Sequence, residues 1–305
     1  MCVGYPAIKA SQQQPITVPK VQLQAKQQTL PPGWRSATSA RSSDREIHVI
    51  ESESGKTNVY NVHDAFIARG VRKSAYFENL SDCTDQFQES STNSRIIPVR
   101  LDEKAAAAFP VFLDYTYGNP YFRLTVDNVL AVRRLADLFK NIPLLSETWR
   151  FIKANMQVNN YEQYLRDAQR FGDKQTASWV AFGCAQNIDK IDPSSDIWRM
   201  MSQTDFRRLA SLLHLCRIGH SMHCSEIVAA YLGHHINEMD ETAFKEITNS
   251  SVLPEISLKA AMILMKAEYH VRRTALEEKA RQKVLSSLQR RCMNTLNANK
   301  QGNSQ

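Results

Sequence analysis

Glycine is scarce in this chain. Ten glycines are dispersed over 305 residues, with no GxGxxG and no GxxxxGK. A loop that cradles phosphate needs clustered glycines ahead of a helix, so neither of those nucleotide-binding motifs is present. The six cysteines (Cys2, Cys83, Cys184, Cys216, Cys224 and Cys292) are scattered and form no CxxC pair. That pattern predicts free thiols in a reducing compartment, not a disulfide framework. No apolar run approaches the roughly 20 residues of a helical membrane span. The first residues lack a charged start followed by an apolar stretch, so no secretory leader is expected. Gly-x-Ser-x-Gly, which places a nucleophile on a strand-to-helix elbow, is missing too, and no internal repeat is visible.

Acidic side chains are absent from residues 1–43, which carry Lys9, Lys20, Lys26, Arg35 and Arg41. Residues 266–305 hold nine basic and three acidic side chains. The whole chain is only +7, so the part between these ends is net acidic. The basic balance therefore belongs to the ends. Basic patches attract nucleic acid or acidic partners, but solvated tails account for this distribution and nucleic-acid binding is not expected.

What is present is a change of pattern along the chain. Residues 1–43 are rich in Gln, Pro, Ser and Lys, with no sustained apolar period. Such a segment buries too little surface to offset its ordering entropy, which predicts disorder. From Asp44 onward the pattern is that of a folded body. Ile47, Val49 and Ile50 predict a strand, Ser52–Gly55 a turn, and Thr57–Val62 a second strand of a hairpin. Short helical pieces follow at 64–69 and 74–80, then a polar loop at 81–94. Ile97, Val99 and Leu101 alternate as a strand. Pro98, on the other face, removes a ladder donor and predicts an edge position.

The rest reads as helix. The segment Ala105–Tyr117 contains Pro110, so its regular part is expected to begin near Phe109, and Gly118-Asn119-Pro120 is expected to end it. Thr125 is expected to cap a helix that places Val129, Val132, Ala136 and Phe139 on one face. Further helices are predicted near 144–156, 160–170, 173–186, 195–201, 204–215, 223–235, 240–248 and 257–290. The fold class is α+β, a hairpin and an edge strand on a helical cluster, followed by an all-α region.

The stretch Val62–Phe77, VHDAFIARGVRKSAYF, precedes Ala108–Gly118, AFPVFLDYTYG, by about thirty residues. Val62-His63, the Ser74-x-Tyr76-Phe77 turn, Phe109–Tyr117 and the helix Asn128–Phe139 resemble, in order and spacing, the core of a BTB/POZ domain over residues 44–157. The segment between Ala68 and Ser74 is longer than in the common animal form. Residues 158–268 resemble a BACK-type helical extension, through Asn160-Tyr161-x3-Leu165-x2-Ala168, Phe171-Gly172-Asp173, Ser225–Val228 and Leu253–Ser257. Residues 269–305 remain as a basic helix and polar tail.

The resemblance implies a non-enzymatic interaction protein that forms homodimers and links an unknown substrate protein to a cullin ubiquitin ligase. The family's cullin contact uses a hydrophobic-x-Glu motif, which Phe87-Gln88-Glu89 fits. Phe87 would fill an apolar pocket, or fold back on its own domain, and Glu89 would accept hydrogen bonds. The resemblance also implies a charged pocket of Asp44 with Lys73, or with Arg72 given the insertion. The alternative is a BTB scaffold or nuclear regulator that dimerises without binding a cullin. No recognisable substrate-reading module follows the helices. Cytoplasm and/or nucleus is the expected location, with no membrane association.

Two groups invite a chemical reading. Cys216, His220 and Cys224 share one helical face with His214 and His223 nearby, and thiolate with imidazole suits zinc. Gly219 interrupts that helix and the spacing fits no standard finger, so packed structural side chains are expected and no metal or other cofactor is assigned. His63 beside Asp64 has no nucleophile in a recognisable motif, and no catalytic residue is assigned. The Tyr115/Tyr117 and Tyr121/Phe122 group is expected in the core.

Overall fold

The computed structural model describes residues 33–35, 41–86, 95–216, 222–275 and 289–295. It is α+β and mostly helical. Strand β1 (Arg45–Glu51) pairs antiparallel with β2 (Thr57–Val62) through the turn at Gly55, whose φ of 69° suits glycine. Helices α1 (Asp64–Ile67) and α2 (Ala75–Gln86) follow, α2 running on through 81–86, which were expected to be loop, and the chain returns as β3 (Ile96–Leu101). Strand β3 lies parallel to β1, opposite Ile47 at Ile97 and opposite Val49 at Val99, so the sheet order is β2-β1-β3. The edge position expected from Pro98 is therefore observed. The alternation also holds, with Ile97, Val99 and Leu101 buried and Ile96, Pro98 and Arg100 exposed.

Helix α3 (Glu103–Thr116) corrects one expectation. It starts at Glu103 and runs through Pro110, instead of beginning near Phe109. Asp102 caps it by accepting from the Lys104 and Ala105 amides at 3.1 and 3.2 Å. Proline in a helix interior costs about 3 kcal/mol. That cost is offset by the cap, by the helix-favouring alanine run, and by burial of Ala105, Ala106, Phe109, Phe112 and Leu113. Gly118, at φ 66°, ends the helix as expected.

Helix α4 (Val129–Leu138) begins one turn after Thr125. The Thr125 hydroxyl accepts from the Asn128 amide while the Asn128 side chain accepts from the Thr125 amide, a reciprocal cap. Its expected face is buried: Val129, Val132, Ala136 and Phe139 are at most 1 % exposed. Then come α5 (Ile142–Asn155), α6 (Tyr161–Phe171), α7 (Lys174–Gln186), α8 (Asp196–Met200), α9 (Gln203–Cys216), α10 (Met222–His235), α11 (Glu241–Ile247) and α12 (Leu258–Ala275). Among the described residues, no helix is long and apolar enough to cross a membrane.

Two apolar cores form. The first joins Ile47, Val49 and Val62 of the sheet to Phe77, Phe109, Phe112 and Phe139. The second joins Leu165, Val180, Trp198, Phe206, Tyr231 and Leu264 of the later helices. Helix α4 serves both, giving Val129 and Leu130 to the second and Val132 and Leu135 to the first.

Arg133 on α4 reinforces that junction. It donates to Asp173 at 2.8 Å, to Gln175 at 2.7 Å and to the Leu145 carbonyl at 3.2 Å. Asp173 also caps α7 through the Thr176 amide and hydroxyl. Burial pushes the Asp173 carboxyl up, but the Thr176 hydrogen bonds and Arg133 outweigh it and hold the group below its ordinary range. A carboxylate whose folded pKa is depressed adds stability above its unfolded pKa and loses it as pH falls through the folded pKa. Asp173→Asn should therefore cost about 1–2 kcal/mol at neutral pH. The gap to the unsubstituted protein should close in acid, as urea unfolding at a series of pH values would register.

The expected disordered and solvated ends need correcting where they are described. Trp34 packs on the first core, and Ser43 is buried with Arg95 donating to its carbonyl. Residues 1–32 and 36–40 lie outside the described residues, as do 276–288 and 296–305. Residues 289–295 form a helical turn packed into the second core, with Cys292 fully buried. Arg291 donates to the Thr248 carbonyl at 2.9 Å and also to that of Leu253. That stretch of the basic end is thus part of the folded body.

Candidate interaction surfaces

The Ser74-x-Tyr76-Phe77 turn is held by the end of α4. The Ser74 hydroxyl donates to the Phe139 carbonyl and accepts from the Phe77 amide. The Ala75 and Tyr76 amides donate to the Lys140 and Phe139 carbonyls at 3.4 and 3.3 Å. The Asn141 side chain donates to the Arg72 carbonyl at 2.9 Å. Phe77 stacks on Phe139 at 5.0 Å, which buries one ring of the turn. The other ring, Tyr76, stays 38 % exposed.

Next in the chain to the residues of these bonds stand exposed apolar side chains. Val71 precedes Arg72, Leu138 precedes Phe139, and Ile142 follows Asn141. Val71 is fully exposed and Ile142 is 62 % exposed. Tyr76 and Leu138 are exposed as well, and water covers such side chains at a cost in free energy. Helix α2 continues to Gln86. Phe87 and Glu89, expected to bind a cullin, lie just beyond it and outside the described residues.

The expected charged pocket takes another form. Asp44 accepts from the Asp64 backbone amide at 3.0 Å. Lys73 pairs with Glu78, one turn into α2. Arg72, the other candidate, donates to the Tyr115 carbonyl at 3.2 Å and lies over the Tyr115 ring at 4.9 Å. Asp44 is paired with neither cation. The buried ion pair near this place is Arg45 with Asp64: the Arg45 Nε lies 2.8 and 2.9 Å from the two carboxylate oxygens, and its Nη2 lies 3.3 Å from the Ser81 hydroxyl.

His63 has a structural setting. Its backbone amide donates to the Tyr117 hydroxyl at 2.8 Å, and its Nδ1 lies 3.0 Å from the same oxygen. The imidazole Nε2 lies 3.3 Å from the Ser42 hydroxyl. Burial pushes the Tyr117 phenol far up, which keeps it a donor across the ordinary pH range. Of the aromatic group expected in the core, Tyr115 and Tyr117 are buried and Phe122 packs against them, whereas Tyr121 is 78 % exposed.

The residues of the expected zinc face are only partly described. His223 bonds the Ile191 carbonyl through Nε2 at 2.9 Å, and Cys224 is buried in the second core. Among the described residues, no group of three or more His, Cys, Asp and Glu could hold a metal ion. His220 and the side chains of His214 and Cys216 lie outside them.

One arrangement was not foreseen. Asp114, near the end of α3, is 4 % exposed. It accepts from Asn119 at 2.9 Å, from the Trp34 indole at 3.0 Å and from Arg35 at 2.7 and 3.3 Å. Trp34 meets Tyr60 of β2 edge-on at 5.6 Å, and Tyr60 in turn meets Phe109 at 5.0 Å. The Arg35 guanidinium lies 4.3 Å from the Trp34 ring centre. The signal in the sequence was small: a tryptophan next to an arginine, in a stretch otherwise rich in Gln, Pro and Ser.

No protein-family model matches this chain, and no curated protein matches it.

Proposed function

We propose that this chain is a non-enzymatic BTB–BACK adaptor, with residues 44–157 as the BTB module and 158–268 as the BACK-like module. It acts as a homodimer and brings an unknown substrate protein to a cullin ubiquitin ligase. The observation that supports this most is the exposure of Val71, Tyr76, Leu138 and Ile142, apolar side chains within or next in sequence to the residues that hold the start of α2. The same helix leads directly into Phe87-Gln88-Glu89. A partner covering those side chains and taking Phe87 into a pocket recovers roughly 1.5–3 kcal/mol per large apolar side chain. Glu89 adds a charge-assisted hydrogen bond.

The test is calorimetry of the full chain with the N-terminal part of the BTB-binding cullin. Submicromolar binding is expected. Phe87→Ala with Glu89→Ala should weaken it by about a hundredfold or more, as loss of an interface hot spot does, with an unchanged thermal midpoint. A folded protein that does not bind the cullin overturns the ligase reading.

A further inference from the structure

The Asp114 site differs from the other well-buried carboxylates with described ion pairs. Asp167 is paired with Lys104, Asp205 with Arg208 and Glu268 with Arg272. Those cations stand on helices of the folded body, α3, α9 and α12. The cation of Asp114 is Arg35, carried on a segment about eighty positions away in the chain. Arg35 is itself 54 % exposed in its side chain, while the Asp114 side chain is 5 % exposed. The anion is therefore built into α3, and the cation is presented from outside.

The site has the parts of a peptide-reading slot. Tyr60 and Phe109 form an aromatic wall, and Trp34 lies against it. Asp114 sits at the end of that wall, oriented by the Asn119 side chain, and reads two donors of a guanidinium and one of an indole. A planar guanidinium matches a carboxylate in a way that an ammonium does not. A buried carboxylate left without its cation is strongly unfavourable, so an emptied slot favours refilling by the same chemistry.

We infer that Tyr60, Phe109, Asp114 and Asn119 form a recognition site for a peptide bearing an aromatic residue followed by arginine. The chain's own Trp34-Arg35 occupies that site in cis. A partner protein carrying such a segment competes for it. This assignment stands apart from cullin docking and supplies the kind of reading site that the sequence lacks in recognisable form.

The experiment uses the full chain with Trp34→Ala and Arg35→Ala, which empties the slot. The probe is a fluorescein-labelled peptide of residues 30–38, LPPGWRSAT. Anisotropy should show saturable binding to the variant. Binding to the unsubstituted protein should be at least about tenfold weaker, because a tethered segment competes at millimolar effective concentration. A peptide with Arg35→Ala, or a protein with the further change Asp114→Asn, should lose about tenfold or more.

No binding to a variant whose circular dichroism and thermal midpoint match the parent overturns the proposal. So does equal binding of the arginine and alanine peptides. The unsubstituted protein provides a second test should the variant fail to fold. The same peptide with benzoylphenylalanine at the Trp34 position, in millimolar excess, should cross-link within residues 57–62 or 103–119. Cross-links only elsewhere, or none, overturn it equally.

Discussion

Phe139→Ala is expected to cost about 3–5 kcal/mol of unfolding free energy, the range for removing a fully buried aromatic ring. Phe139 is 1 % exposed. Its ring lies 5.0 Å from Phe77, 5.1 Å from Phe112, 5.6 Å from Tyr76 and 5.9 Å from Phe109. Four rings on two helices, α2 and α3, therefore lose a common neighbour. Its backbone carbonyl holds Ser74 and Tyr76, so collapse around the void would also pull on the turn that opens α2. Domains have only about 5–15 kcal/mol in all, so the variant should unfold at a much lower urea concentration. Its exposed Tyr76 surface should lose partner binding in parallel. A loss below about 1 kcal/mol would mean that the neighbouring rings repack into the space, and the aromatic cluster would not be the support of the turn.

The second large effect is expected at Arg45. Arg45→Ala leaves Asp64 facing a cavity instead of a guanidinium, in a place where the Arg45 side chain was 9 % and the Asp64 side chain 22 % exposed. Breaking such a pair from one side costs about 3–5 kcal/mol when both groups are buried. The partial exposure of Asp64 brings the expectation to about 2–4 kcal/mol. The double replacement Arg45→Met with Asp64→Leu should recover much of that loss, since an apolar pair of similar size needs no desolvated charge. Urea unfolding of the parent, Arg45→Met, Asp64→Leu and the double variant measures the coupling. If the double variant is as unstable as Arg45→Ala, the loss comes from the aliphatic packing of Arg45 at the start of β1, and not from an orphaned carboxylate.

These two sites show how unevenly the fold was written in the sequence. Phe139 was legible: it completes a stripe with Val129, Val132 and Ala136 at helical spacing, and that face is buried. Arg45 was not. It opens β1, where a charged residue reads as a solvent-facing start of a strand, and only the approach of α1 brings Asp64 against it. The same holds for Asp44 and Lys73. Resemblance suggested that they pair, yet Asp44 accepts from a backbone amide and Lys73 finds Glu78 five residues along the chain. Pro110 shows the reverse difficulty. A local rule about proline shortened α3 in the reading, and burial of the alanine and phenylalanine face carried the helix through it.

The sequence by itself determined the order of the elements, the hairpin, the edge position of β3 and the stop at Gly118. All of these depend on residues within one or two turns of each other, where period, capping and backbone preference act directly. Only the tertiary structure decided that β3 runs parallel to β1, that α4 serves two cores, and that residues 289–295 bury Cys292. It alone brought Trp34 and Arg35 to Asp114. Contacts of this kind join positions far apart in the chain and leave no periodicity. Whether an aspartate is a solvated charge or a site that demands a cation is settled only when packing removes it from water.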